Sequence, residues 1–282
     1  MLKMDVSQSP IQVLRHQRLA RSGSYPIRSE EDGLLFLDDV GLCRFTHHGD
    51  VELPCFSDAL APEVKDEAWG WKDSLPNTRR VYYGTIFHFH ARDSIRPGFL
   101  ALRVLAACYA LSAVMQFGGD RSLLPRWTGL SREALSLADA LEDSGSLSTK
   151  ELRKTTALNG KEHGTIFSKA LIEAQRSFLI VRTGVTSTSR ANYGYIWESF
   201  PRAYPRVVEQ AEGLHEIDAA AAIIRQYVDT AVEASVERIA TVLSLDLALL
   251  RRAADRLVEE GTLRRDEGGV LTLADPYSDP PS

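Results

Sequence analysis

Residues 131–176 read SREALSLADALEDSGSLSTKELRKTTALNGKEHGTIFSKALIEAQR and decide the fold of the middle of the chain. The pattern predicts a helix that ends near Gly145, then a second helix opened by a capping box of Ser148 and Glu151. A polar turn leads to a third helix, whose apolar residues recur every three or four positions. Residues 179–185 and 193–199 then predict two paired strands around a polar loop. Three helices followed by a hairpin are the order of a winged helix.

The last third of the chain repeats this order. Residues 217–235, 236–245 and 246–261 predict three helices, and Gly261 is placed to end the third one. Residues 262–275 then predict a hairpin with a turn at Asp266 to Gly269. The sequence therefore predicts a second winged helix here, related to the first by architecture more than by sequence.

The first third is less regular. Helices are predicted at residues 10–21, 29–41 and 65–75, and a β-branched and aromatic strand at residues 80–90. Residues 99–119 are long and apolar and predict a buried helix. Helices followed by a hairpin-like piece indicate a third, more divergent winged-helix unit.

Together these patterns predict an α+β fold that is predominantly α and built of tandem winged-helix units. The expected domains are a divergent unit at residues 1–120, a basic unit at 121–205 and an acidic unit at 206–275, with a flexible Pro-rich tail at 276–282.

Charge is distributed unevenly over a chain of 282 residues with a formal net charge of −5. The first and last units are net acidic, whereas residues 121–205 hold 12 basic and 8 acidic side chains. The whole molecule is therefore not a polycation, and the positive charge indicates one localised anionic partner.

Double-stranded DNA is the predicted partner, because the third helix of a winged helix usually enters the major groove and the wing contacts the backbone. The candidate DNA-binding residues lie on the second and third helices, their turn and the wing: Lys150, Arg153, Lys154, Lys161, His163, Lys169, Arg176, Arg182 and Arg190. The alternative interpretation is an ordinary solvated face. Residues 206–275 surround their arginines with carboxylates, which indicates a structural or protein-contacting unit.

Other kinds of site are weakly indicated. The three cysteines show no CxxC spacing and predict buried thiols in a reducing cytoplasm, or at the nucleoid if the protein binds DNA. His88 and His90 share one strand face but lack further ligands at useful spacing, so we predict no metal and no cofactor. Arg103, Ser112 and Gln116 interrupt the apolar run, which argues against a membrane span.

Several stretches in the same order resemble the AlkZ/YcaQ superfamily of interstrand-crosslink-repair DNA glycosylases, and within it the AlkZ-related proteins. They are EEDGLLFLDDVGLCRF, WGWKDSLPNTRRVYYGTIF, LSREALSLADALEDSGSLSTKELR and YGYIWESFPRAYP, within about residues 8–205. The resemblance implies tandem winged helices, DNA binding and a role linked to repair.

The resemblance also implies a Gln-containing motif after an early helix, which positions or activates the water in those glycosylases. The comparable place here supplies Val40, Gly41, Leu42 and Cys43, and no glutamine. Catalytic residues are therefore unknown. Asp38 and Asp39 are the weak candidates, although adjacent helical residues point about 100° apart and cannot both face one pocket.

The stretch WGWKDS carries a second candidate site. Trp69 and Trp71 stand beside Lys72 and Asp73, and aromatic rings next to a cation can stack on an unpaired base and hold its phosphate. Two tryptophans at this spacing equally anchor a helix to the core.

The leading hypothesis is a DNA-binding tandem winged-helix protein without the Gln catalyst, in a repair-associated or regulatory role. The alternatives are an active glycosylase that excises alkylated bases with a relocated carboxylate, and a protein-interaction module. A concave basic cleft between the first and middle units is the structural feature that the leading hypothesis expects.

Overall fold

The computed structural model describes residues 9–47, 52–89, 94–112, 115, 130–187 and 193–275. In this part of the chain, three small antiparallel sheets lie among helices, each sheet with three strands. The prediction of an α+β fold with mostly helical structure is confirmed.

The N-terminal part forms the first sheet, in the order β1-β3-β2. Its strands are β1 (Leu42–Arg44), β2 (Val81–Phe89) and β3 (Ser94–Ala101). The α-helices in the described residues of this part are α1 (Pro10–Ala20), α2 (Glu30–Val40), α3 (Phe56–Ala59), α4 (Trp71–Asn77) and α5 (Leu102–Ala110). Ser29 caps α2 by accepting a hydrogen bond from the backbone N–H of Asp32.

The middle part has the predicted order of elements. Helix α6 (Arg132–Ser144) leads through β4 (Leu147–Ser148) to α7 (Thr149–Thr155) and α8 (Gly164–Arg176). Strands β5 (Ile180–Val185) and β6 (Tyr195–Ser199) follow, and β6 pairs with both β4 and β5. The predicted capping box of Ser148 and Glu151 opens α7.

The C-terminal part repeats this topology. After two connecting helices, α9 (Phe200–Ala203) and α10 (Pro205–Glu212), come α11 (Glu216–Ala231), β7 (Glu233–Ser235), α12 (Val236–Leu243) and α13 (Leu247–Glu259). Strand β9 (Val270–Leu273) pairs with β7 and with β8 (Leu263–Arg265). Gly261 has a φ of +71°, which suits the residue after a helix end.

Three predicted elements differ from the observed ones. The predicted helix at 65–75 begins only at Trp71. Residues 99–101 belong to β3, because Leu100 pairs with Leu42 and Tyr82, and the apolar helix starts at Leu102. The predicted helix 217–235 ends at Ala231, since residues 233–235 pair with β9.

Two hydrophobic cores hold the described elements together. The larger core joins β2, α5, the middle part and the C-terminal part, with Tyr82, Phe167 and Tyr227 among its buried rings. The smaller core packs α2 against β1, with Phe36 and Phe56 fully buried. The first and middle parts therefore meet along β2, which is where the candidate site lies.

Candidate nucleic-acid interface

Helix α8 has a buried apolar face and an exposed basic face. Phe167, Ala170 and Ala174 are buried in the core, as their spacing predicts. Lys169 and Arg176 are exposed and, seven residues apart, point within about 20° of each other. The helix therefore carries a basic stripe opposite its apolar face.

Further exposed lysines lie on α7 and in the turn that follows it. Lys150 and Lys154 are one helical turn apart on α7, and Lys161 follows in a short 3-10 turn. Within the residues that the structure describes, none of these three lysines, nor Lys169 or Arg176, forms an ion pair with a carboxylate. In this part of the chain their charges are therefore not neutralised by an ion pair, although burial lowers the pKa of Arg176.

Two further candidates are partly occupied. His163 Nε2 lies 3.5 Å from Glu162 Oε1, so a protonated imidazole would pair within its own turn. The Arg153 guanidinium stacks on the Phe167 ring at 4.3 Å from its centroid. Arg190 lies outside the described residues, as does the rest of the loop at 188–192.

A cleft of about 410 Å³ opens along α8, between the middle part and the β2–β3 hairpin. Tyr83, Gly84 and Pro97 form its wall on the N-terminal part. The opposite wall is made by residues of α7, α8 and the middle sheet: Thr149, Arg153, Phe167, Ser168, Leu171, Ile172, Gln175, Arg182, Tyr195 and Trp197. The lining is mainly apolar and aromatic, with two guanidinium groups.

Arg182, which lines this cleft, is buried where the first and middle parts meet. Its guanidinium lies between the rings of Tyr83 and Tyr195, at 4.4 Å from each centroid. It also donates a hydrogen bond to the backbone carbonyl of Lys72 and lies 3.3 Å from Asp73 Oδ1. Its donors therefore bind protein groups that join the first and middle parts.

The WGWKDS stretch meets the middle sheet at the same junction. Lys72 Nζ lies 2.6 Å from Asp73 Oδ2 and donates to the Tyr193 hydroxyl, which in turn donates to Asp73. Burial, together with hydrogen bonds to Tyr195 and Asp73, raises the pKa of Tyr193. Lys72 and Arg182 therefore share the single carboxylate of Asp73 in this hydrogen-bonded cluster.

The two tryptophans of this stretch have different environments. Trp71 is buried against Phe56, in the anchoring position that the sequence left open. Trp69 remains 62% exposed, with Lys72 Nζ at 5.2 Å from its ring. Trp69 is therefore the more exposed member of the pair, and its ring also packs on Phe45 at 5.4 Å between centroids.

The two catalytic candidates, Asp38 and Asp39, both form ion pairs with arginines. Asp38 Oδ1 lies 2.9 Å from Arg103, and Asp39 Oδ2 lies 2.9 Å from Arg18. Neither aspartate lines the cleft. At the position of the missing glutamine motif, Cys43 is fully buried, and burial raises the pKa of its thiol well above the usual range.

Sequence reasoning missed the aromatic lining of the cleft. The signal was present in YGYIW, because residues two apart on a strand share a face. Tyr193, Tyr195 and Trp197 form a continuous edge-to-face row, with centroids 5.4 and 5.9 Å apart. Tyr83 gave no comparable signal, since its partner Arg182 is distant in the sequence.

With this geometry in place, comparison with known proteins identifies the family. The family model described as AlkZ related matches residues 29–244. The chain belongs to the AlkZ-related family. No curated protein and no solved structure matched the sequence in the parallel comparisons.

A metal site and a membrane span were also considered from the sequence of the AlkZ-related chain. Among the described residues, no group of three or more His, Cys, Asp or Glu side chains could hold a metal ion. Over the same residues, none of the helices combines the length and apolar character needed to cross a bilayer. His90 lies outside the described residues, and His88 belongs to β2.

Proposed function

We propose that this AlkZ-related protein binds double-stranded DNA through α7, the following turn and α8, arranged as the second and third helices of a winged helix. The observation that carries the proposal is the set of exposed cations without carboxylate partners in the described part of the middle unit. Lys150, Lys154, Lys161, Lys169 and Arg176 form this set. Such a group can neutralise several backbone phosphates at once.

The C-terminal unit gives an internal comparison, because it has the same order of elements. Its third helix, α13, also carries three arginines, but each is matched by a carboxylate. Arg251 pairs with Glu237, Arg252 with Glu216, and Arg256 with Asp218, at 3.0, 3.0 and 2.7 Å. We therefore propose that residues 206–275 contact a protein partner or serve structure, and do not bind DNA.

The proposal covers binding in a repair-associated or regulatory role, and not base excision. The family relationship supports a connection to DNA glycosylases. Asp38 and Asp39 are held by arginines away from the cleft, which gives no support to a relocated catalytic carboxylate. The three winged-helix units, at residues 1–120, 121–205 and 206–275, remain part of the proposal.

The test is a salt titration of duplex affinity with two matched double variants. Lys169→Ala/Arg176→Ala removes two cations from α8, and Arg251→Ala/Arg252→Ala removes two from α13. Each lost phosphate contact should reduce the log–log slope of affinity against salt by roughly 0.9. The α8 variant should therefore lose about 1.8 units of slope, whereas the α13 variant should keep the wild-type slope.

The measurement is fluorescence anisotropy of a labelled duplex of random sequence, from low to physiological salt. Undetectable binding by the wild type at low salt would exclude DNA binding. Equal slopes for the wild type and the α8 variant would show that DNA is bound elsewhere on the protein.

A further inference from the structure

We propose that Ile166, on the first turn of α8, reads the 5-methyl group of a pyrimidine in the major groove of the bound duplex. This inference rests on the proposed function and deepens it, because it names a chemical feature of DNA that α8 recognises in addition to the phosphates. Three observations carry it: the exposure of Ile166, its place beside the basic stripe, and the bonding of the polar side chains around it.

Ile166 is the most exposed of the large apolar side chains on α8. Its side chain is 43% exposed, whereas Phe167 is buried and both Leu171 and Ile172 are half-buried. A single exposed apolar residue is common on protein surfaces and needs no ligand to explain it. The exposure of Ile166 therefore gains meaning only from its position on the helix and from comparison with the C-terminal unit.

The C-terminal unit buries the residue at the equivalent position. The buried residues of the two third helices have the same spacing: Phe167, Ala170 and Ala174 on α8, and Leu250, Ala253 and Leu257 on α13. This alignment places Leu249 at the position of Ile166, and Leu249 is only 7% exposed. It also places Arg252 at the position of Lys169, and Arg252 pairs with Glu216. The middle unit thus exposes an apolar side chain and a cation where the other unit buries or pairs them.

Ile166 lies next to the basic stripe, at the end of α8 that a winged helix turns toward the bases. Ile166 and Lys169 are three residues apart, so their side chains are neighbours on the helix surface. The N-terminal residues of a recognition helix contact base edges, while cations around them hold the phosphates. A duplex whose backbone is held by Lys169 and Arg176 therefore brings its base edges to Ile166.

Two of the polar side chains near Ile166 on α8 already bind protein groups. Ser168 Oγ donates to the Gly164 carbonyl, and Glu173 accepts from the backbone N–H and the hydroxyl of Ser131. These groups are therefore poorly placed to read a base edge by hydrogen bonding. An apolar side chain instead suits the methyl group that thymine presents in the major groove. Cytosine methylated at C5 presents a methyl group at the same ring position.

The experiment uses the full chain and two pairs of duplexes that differ only in the 5-methyl group. One pair is built of A·T base pairs, with thymine or with deoxyuridine in its place. The other is built of G·C base pairs, with cytosine or 5-methylcytosine. Fluorescence anisotropy at one low salt concentration gives the ratio of affinities within each pair. The wild type should bind the methylated duplex about fourfold more tightly in at least one pair, since burial of one methyl group contributes about that factor.

The pair that shows the preference identifies thymine, 5-methylcytosine or both as the source of the methyl group. Ile166→Ala removes the apolar surface and should lower the ratio to about one. Ile166→Val retains a branched apolar side chain and should keep most of the preference. Circular dichroism checks the fold of both variants, and the wild-type ratios decide the matter independently of either one.

Two controls separate methyl reading from general DNA binding. Thr165→Ala changes the neighbouring exposed residue, which points about 100° away from Ile166, and it should keep the preference. Lys169→Ala should weaken the methylated and unmethylated duplexes equally and so preserve the ratio.

Equal affinities within both pairs of duplexes would overturn the inference and leave DNA binding intact. A methyl preference that persists in Ile166→Ala would also overturn it, because the methyl group would then act on another residue or through the shape of the duplex. Failure of the wild type to bind any of the duplexes would instead remove the proposed function itself, and this inference with it.

Discussion

Arg182 offers the sharpest test of how the first and middle parts are joined. Its guanidinium binds the Lys72 carbonyl, pairs with Asp73 and lies between Tyr83 and Tyr195. Only 7% of its side chain is exposed, so water and salt screen these contacts weakly. We expect Arg182→Ala to destabilise the protein far more than loss of a surface arginine.

The loss in unfolding free energy for Arg182→Ala follows from the contacts that the variant removes. Removing one partner of a buried ion pair costs about 3–5 kcal/mol. Asp73 keeps Lys72 and Tyr193 as partners, so the loss of the ion pair should cost a free energy near the lower end of that range. Loss of the two ring contacts adds roughly 1 kcal/mol or more. The expected total is about 3–5 kcal/mol for Arg182→Ala.

Two conservative variants divide this total into charge and packing. Arg182→Met retains the stem between the two tyrosines and should recover part of the loss. Arg182→Lys retains the charge, but one ammonium cannot reach the Lys72 carbonyl and the Asp73 carboxylate with the geometry of a guanidinium, so it should recover only part as well.

The assay is urea unfolding followed by tryptophan fluorescence and far-ultraviolet circular dichroism. Arg80→Ala is the matched control, because Arg80 pairs with Glu31 at 2.8 Å on the surface, and its midpoint should stay at the wild-type value. An Arg182→Ala protein that unfolds at the wild-type urea concentration with an unchanged slope would refute the reasoning.

Three further outcomes are expected. Burial raises the pKa of Cys108 to about 12 and also raises the pKa values of Cys43 and Cys55. The native thiols should therefore resist maleimide at pH 8 and react once urea unfolds the chain. Labelling of the native protein at the rate of a free thiol would contradict this prediction. Ser148→Ala removes the N-cap of α7 and should cost about 1 kcal/mol in thermal or urea unfolding, with an unchanged midpoint counting against it. Because the Trp69 side chain is exposed, Trp69→Ala should leave the unfolding midpoint nearly unchanged but weaken binding to single-stranded DNA. Equal affinity of the variant and the wild type for single-stranded DNA would show that Trp69 is not part of the interface.

The sequence predicted those parts of the fold that depend on neighbouring residues. The capping box at Ser148 and the helix end at Gly261 are local hydrogen-bond patterns, and both are observed. The assignment of residues 99–101 to a helix was wrong, because an apolar run alone does not distinguish a buried strand from a buried helix. Leu100 is in a strand because it pairs with Tyr82, and the sequence around Leu100 does not predict this long-range pairing.

The same distinction applies to the candidate site. The basic stripe of α8 could be predicted, since Lys169 and Arg176 follow helical spacing around a recognisable apolar face. The burial of Arg182 could not, because nothing near it in the sequence indicates that Tyr83 and Asp73 surround it. Arg182 was predicted to contact phosphate, whereas its guanidinium binds the Lys72 carbonyl and the Asp73 carboxylate.

The place of the missing glutamine motif is occupied by structural contacts in this chain. The Val40 carbonyl at the end of α2 accepts hydrogen bonds from Gln226 and Thr230 of α11. Gly41 has a φ of +70°, and a Cβ there would come within 2.6 Å of the Gln226 side chain. The C-terminal unit thus packs directly on the segment that would carry the water-positioning glutamines in the glycosylases that the chain resembles. The burial of this segment against α11 supports the proposed function, in which the protein binds DNA without excising bases.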